Sequence, residues 1–186
     1  FVSRKVDDKF KFITRFHSSS FILIVKLSDV IPALFIKMSI LFLNTSLHSS
    51  INFSIEESYI SSSKKNTLRG MHYQKEPYGH KKLVYCSHGK ALDVCVDLRK
   101  SSKTYGCIES FILQPDDRCV LIPKGVAHGF LALEDETIMN YYTSSVYNQN
   151  ADSGILWSSI DFDWPITNPI ISERDLNHPQ FGAYDD

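Results

Sequence analysis

Apolar and polar residues alternate with a period of two through much of the chain beyond Ile51. Leu92, Val94, Val96 and Leu98 are separated by Asp93, Cys95 and Asp97, the spacing of a strand whose successive side chains point to opposite faces. The stretch Thr67 to Gln74 (TLRGMHYQ), Leu83 to Tyr85, Ile108 to Leu113, Val120 to Ile122, Ala127 to Leu133 and Ile138 to Thr143 read as further strands. Turn-forming residues separate them: Ser87-His88-Gly89-Lys90, Lys100 to Lys103, Gln114-Pro115-Asp116-Asp117 and Pro123-Lys124-Gly125. Strands at this spacing, with no long amphipathic helix between them, predict an all-β sandwich or barrel. Residues 165 to 181 read as an irregular tail with a short helix near Ser172 to Leu176. Alternation alone puts Asp93 and Asp97 on the solvent face of their strand.

The N-terminal part patterns differently. Phe10, Phe12 and Phe16 fall on one face of a short strand within residues 1 to 16. Residues 17 to 50 have serine-rich ends and a long apolar middle from Phe21 to Leu43, with neither a period of two nor of 3.6. That segment fits a buried helix, an interface segment or an aberrant piece of the coding sequence. It is not read as a membrane span, because Lys26, Asp29, Pro32 and Lys37 interrupt it and a spanning helix needs about 20 mostly apolar residues. No stretch has the order of a signal peptide. The chain is therefore expected to be soluble and cytoplasmic.

With 186 residues, the chain has the length of one domain, 1–186, with enough chain to bury a core. A net charge of −1 argues against a nucleic-acid binder, which would carry a basic excess. The four cysteines, Cys86, Cys95, Cys107 and Cys119, form no CxxC pair and match no zinc pattern. They lie in segments that read as strands and are expected to be reduced, small apolar side chains. His72, His80 and His88 stand eight apart without an HxH pair, so a metal-dependent reading is not favoured and no metal is expected.

The densest chemistry lies at 67 to 74. Arg69, His72, Tyr73 and Gln74 sit close together, and Gly70 lets the backbone bend or approach another group closely. Plain structural readings exist for each candidate. A single histidine on a strand is commonly structural, Lys82 beside Lys81 can be a surface charge pair, and Tyr141 can be a strand aromatic. His128 can be a turn residue beside Gly129, and Asp175 a helix-end charge.

The order of motifs adds to that picture. TLRGMHYQ at 67 to 74, KLV at 82 to 84, LDVCVDLR at 92 to 99 and IPKGVAHGF at 122 to 130 are followed by Tyr141, GILW at 154 to 157, DWP at 163 to 165 and PIISERD at 169 to 175. Over roughly residues 51 to 181 the chain resembles the dTDP-4-dehydrorhamnose 3,5-epimerases and related nucleotide-sugar epimerases. The resemblance implies a cupin-type jelly roll, an interior active site and a homodimer. It implies a dTDP-sugar substrate and epimerisation of a nucleotide-linked 4-keto-6-deoxy sugar, with no cofactor. Residue by residue, His72 matches the catalytic base, Asp175 its paired carboxylate and Tyr141 the proton donor on the opposite face of the sugar. Lys82 matches the lysine near the keto oxygen, and Asp93 an acidic residue of the pocket. Arg69, Gln74, His128 and Tyr147 match substrate-contacting positions.

Two departures stand out. The family's acidic-Arg-Gly-x-Phe motif has its nearest match in Asp8-Lys9-Phe10-Lys11-Phe12, where Lys9 and Phe12 take the binding positions. Lysine is a poorer bidentate clamp than arginine. The spacing from Phe16 to Arg69 also exceeds the family's, which marks residues 17 to 50 as an atypical insertion. The alternatives are a single-carbon epimerase or ketoisomerase of a related nucleotide sugar, and a non-catalytic sugar-binding cupin.

Overall fold

The structure, a computed structural model, describes the backbone of residues 23–26 together with residues 53–115 and 118–184. Ten strands run in order: β1 (Leu23–Lys26), β2 (Glu57–Ser63), β3 (Leu68–Gln74), β4 (Lys82–His88), β5 (Ala91–Asp97), β6 (Ile108–Leu113), β7 (Arg118–Ile122), β8 (Val126–Ala132), β9 (Thr137–Thr143) and β10 (Asp152–Gly154). A 3-10 turn at Trp157–Ser159 and a single helical turn, α1 (Glu173–Leu176), follow. The strands form two five-stranded sheets, β1-β7-β4-β9-β2 and β10-β3-β8-β5-β6, with antiparallel pairing throughout. The two sheets face each other as a jelly roll, as the spacing of short strands and turns predicts.

Between the sheets lies a core of Val84, Cys86, Ala91, Cys95, Leu113, Val120, Phe130 and Met139, among others. A second cluster covers the outer face of the β3-containing sheet. There Val94, Val96 and Ala127 pack against Ile155, Ile160 and Tyr184, with Phe162, Trp164 and Phe181 alongside. This second layer reverses the expectation for β5. The apolar residues Val94 and Val96 face the C-terminal segment, while Asp93 and Asp97 are fully buried. The alternation was real, but neither face of the strand meets solvent. Asp97 is held by the Arg99 guanidinium at 2.8 Å and by the Thr104 hydroxyl at 2.6 Å, which ties down the turn between β5 and β6.

One other sequence expectation changes, at Cys107. Within the apolar segment 17 to 50 the described residues Leu23–Lys26 form a strand, paired with β7 from Leu23 opposite Leu121 to Lys26 opposite Arg118. Cys107 lies outside the strands and is exposed, whereas Cys86, Cys95 and Cys119 are buried, all four as free thiols. Phe10, Phe12 and Phe16 lie outside the described residues. Among the described residues no helix is long and apolar enough to cross a membrane.

Candidate active site

A cavity of about 460 Å³ opens between the two sheets. Its walls come from β3 and β8 on one side and from β2, β4 and β9 on the other. Gly70 makes the first wall possible. Its φ is +129°, and a Cβ there would stand 2.5 Å from Gly129 Cα on β8, so only glycine allows the close approach. The pairing between β3 and β8 shifts register between Arg69 and His72 and places His72 opposite His128.

His72 is partly exposed to the cavity, with a side-chain accessibility of 28% against 5% for its partner Asp175. Its Nε2 lies 2.8 Å from Asp175 Oδ1. Asp175 Oδ2 accepts the Gly70 backbone N–H at 3.0 Å. The Ser172 side chain caps α1 by accepting the Asp175 N–H at 3.1 Å, which fixes the turn that carries the carboxylate. Burial pushes the Asp175 carboxyl upward, but the bonds from His72, Gly70 and Ser172 outweigh it and hold the pKa at about 2. An ionised carboxylate only accepts, so His72 must present Nε2–H to it. Nδ1 is then the ring atom with the free lone pair. Burial lowers the His72 pKa below its ordinary value despite the attraction of Asp175, which keeps the ring neutral.

From the opposite sheet, Lys82 reaches across the interior. Its Nζ donates to the His72 carbonyl at 3.2 Å, and it is buried, with 6% exposure. Burial pulls its pKa down to about 8, so the surface-pair reading fails for this lysine. Tyr141 projects from β9 on the same sheet and is also buried. Its ring stacks on Tyr59 with centroids 4.6 Å apart, and its hydroxyl lies 3.3 Å from Ser61 Oγ. Burial raises the phenol far above its ordinary pKa, so the hydroxyl keeps its proton. His128 packs edge-on to Tyr141 at 6.2 Å, and its Nε2 donates to Asp93 Oδ2 at 2.6 Å. Asp93 therefore stands one layer behind the cavity, bonded to the lining residue His128.

The other expected residues are distributed unevenly. Arg69 is exposed at the rim, held by Ser63 Oγ and the Ser62 carbonyl. Gln74 lines the cavity, but its amide is committed to the protein: it donates to the Tyr78 carbonyl and accepts the Asn148 N–H at 2.6 Å. Tyr147 is an exposed rim residue whose hydroxyl donates to Asp152. Lys9 and Phe12 lie outside the described residues. The structure also brings in residues that the sequence reading passed over. Tyr59 and Ser61 come from β2, whose ESYISSS sequence lacks apolar alternation. His80, weighed from the sequence only as a metal ligand, lines the cavity and accepts from Gln74 through Nδ1. Arg174 pairs with Asp152 at 2.9 Å. Its position beside Asp175 in SERD is the signal that could have found it.

Comparison with known proteins decides what this arrangement belongs to. The family model described as dTDP-4-dehydrorhamnose 3,5-epimerase matches residues 41–183.

The chain belongs to the dTDP-4-dehydrorhamnose 3,5-epimerase family.

The match starts ten residues ahead of the motif resemblance, so residues 41 to 50 fall within the family's reach. The chain is 46% identical over 124 residues to a dTDP-4-dehydrorhamnose 3,5-epimerase of Shigella flexneri, covering 65% of this chain and 68% of that protein. It is 44% identical over 114 residues to the Escherichia coli (strain K12) protein of the same name, covering 60% and 62%. The crystal structure of the Bacillus anthracis str. Ames dTDP-4-dehydrorhamnose 3,5-epimerase, with TDP and PPi bound, superposes with a TM-score of 0.70 at 36% identity, covering 74% and 82% of the two chains. The fold is thus the cupin-type jelly roll of these enzymes, which are isomerases by name.

Proposed function

We propose that this chain epimerises a dTDP-linked 4-keto-6-deoxy sugar at the carbons beside its ketone. What supports this most directly is that a neutral imidazole base and a protonated phenol stand on opposite sheets across one cavity, with a buried lysine ammonium donating to the His72 carbonyl.

In this reading His72 Nδ1 removes the proton from the carbon next to the ketone. The C–H electron pair becomes the enolate C=C bond, and the carbonyl electrons move to oxygen. Lys82 donates a hydrogen bond to that oxygen. A well-placed donor of this kind lowers the barrier by about 3–4 kcal/mol. Asp175 holds the ring with Nε2–H toward it and stabilises the imidazolium once formed. Tyr141 delivers its proton to the same carbon from the opposite face, and the phenolate is reprotonated from solvent, while His72 returns its proton to solvent. Lysine and phenol together supply the charge stabilisation and the second proton, so the scheme needs neither metal nor organic cofactor.

Arg69 at the rim and the Arg174–Asp152 pair favour recognition of the anionic nucleotide at the cavity mouth. The test is incorporation of solvent deuterium into the sugar with wild type and with His72→Asn.

A further inference from the structure

Beyond the proton chemistry, one cluster has no assignment. His178 follows α1, and its Nε2 is buried with no hydrogen-bond partner. That atom lies 3.7 Å from Asp175 Oδ1, the same oxygen that His72 Nε2 meets at 2.8 Å. The two imidazoles sit edge to face with centroids 5.6 Å apart. One donor atom from each of His72, Asp175 and His178 falls within 4.8 Å of the others. Gly154 on β10 makes room for the second ring: a Cβ there would lie 2.5 Å from His178 Nε2.

We propose that His72, Asp175 and His178 form a three-donor site for a divalent transition-metal ion, zinc by preference, and that the ion switches off the His72 base. Zinc bonds of about 2.0–2.2 Å at tetrahedral angles need donors about 3.3 Å apart. The two distances to Asp175 Oδ1 bracket that value, and the imidazole donors, which lie within 4.8 Å of each other, reach it when the rings turn toward the ion. Two imidazoles and a carboxylate suit zinc, and they leave its fourth position for water. Around the donors, Arg174 and Lys82 are cationic and Asp152 is anionic, so the site holds a dication through its ligands rather than through surplus negative charge.

The inhibitory consequence follows from the tautomer. The ion takes the lone pair of His72 Nε2, so the proton there moves to Nδ1. The atom that would accept the substrate proton then becomes a donor. No proton is gained or lost overall; the base is lost by relocation. The site itself stands on geometry alone, while its effect on turnover rests on the epimerase reading above.

The experiment uses the full chain, stripped of metal with EDTA and desalted. Cobalt(II) is titrated while visible absorption is followed, and zinc is then added to displace it. The expected result is one cobalt per chain with nitrogen–oxygen coordination, no thiolate charge-transfer band from the exposed Cys107, and displacement by zinc. His178→Asn, which removes a direct ligand, is expected to weaken zinc binding by more than the ~100-fold that losing an outer-shell partner costs, and His88→Asn to leave it unchanged. Zinc is expected to raise the melting temperature of wild type but not of His178→Asn, and circular dichroism of the metal-free variant checks its fold. Solvent exchange into the sugar is expected to stop with zinc in wild type and to return with EDTA. No stoichiometric binding up to about 1 mM zinc, or equal binding by a folded His178→Asn, overturns the site. Binding without loss of exchange overturns the inhibitory role. Should no sample exchange deuterium, the epimerase reading falls, and the cobalt titration still decides the site.

Discussion

Lys82 on one sheet donates to the backbone carbonyl of His72 on the other, Nζ to oxygen at 3.2 Å. That single bond spans the jelly roll and fixes a buried cation beside the proposed base. Burial lowers the lysine pKa to about 8, so it is still largely charged at neutral pH. Replacement by methionine is expected to reduce turnover by about 10²–10³-fold with little change in KM for the nucleotide sugar. Steady-state kinetics of Lys82→Met check this; a rise in KM at unchanged kcat would mean that the lysine only binds.

The base and its carboxylate predict a second pair of outcomes. His72→Asn removes the lone pair and is expected to lower the exchange rate by about 10²–10⁴-fold. Asp175→Asn keeps the shape but no longer forces Nε2–H toward it, and is expected to cost a comparable factor. Stopped-time deuterium exchange measures both.

Tyr141→Phe separates abstraction from delivery. His72 can still remove and return a proton on its own face, so deuterium is expected to enter the recovered substrate. Inversion should fall by about 10²-fold or more. Proton NMR of the recovered sugar distinguishes retained from inverted centres.

The pH profile follows from the two shifted groups. His72 must be neutral, and its pKa is lowered by burial, so the acid limb should have its midpoint below the ordinary 6.5. Lys82 must be charged, so activity should decline as pH rises through about 8. Lys82→Arg stays charged through that range and is expected to move the alkaline limb upward in whatever activity remains. The measurement is kcat/KM from pH 5 to 10.

Acid stability depends on two carboxylates whose folded pKa values lie near 2. In Asp175 and Asp97 burial acts upward, and hydrogen bonds outweigh it, from His72 in the first and Arg99 and Thr104 in the second. Both values lie below the unfolded value of 3.8, so the folded state binds fewer protons. Their stabilisation is complete above 3.8 and disappears as pH falls through about 2. Urea midpoints at pH 5, 3 and 2 are expected to fall in that order. Asp97→Asn should cost about 1–3 kcal/mol without slowing exchange, since Asp97 lies outside the cavity.

What could be read from the sequence is clearest at His72, where Arg69, His72 and Gln74 crowd one strand, and in the strand runs bounded by Gly, Pro and Asp. Asp93 and Asp97 show where local pattern stops. Their alternation with valines is unambiguous, yet it gave the wrong face, because residues 155 to 184 bury the outer side of β5. Tyr59 and Ser61 were illegible for a different reason. They matter because β2 lies beside β9 with Tyr59 opposite Tyr141, a pairing across more than eighty residues of chain. His178 was closer to reach, since it stands three positions after Asp175 at the end of a helical turn.

The central claim is tested most directly by mass spectrometry of dTDP-4-keto-6-deoxyglucose incubated with the protein in heavy water. Two deuterons in the product, absent with His72→Asn, are expected. A single deuteron would restrict the reaction to one carbon. No deuterium with the folded wild-type chain would contradict the epimerase account.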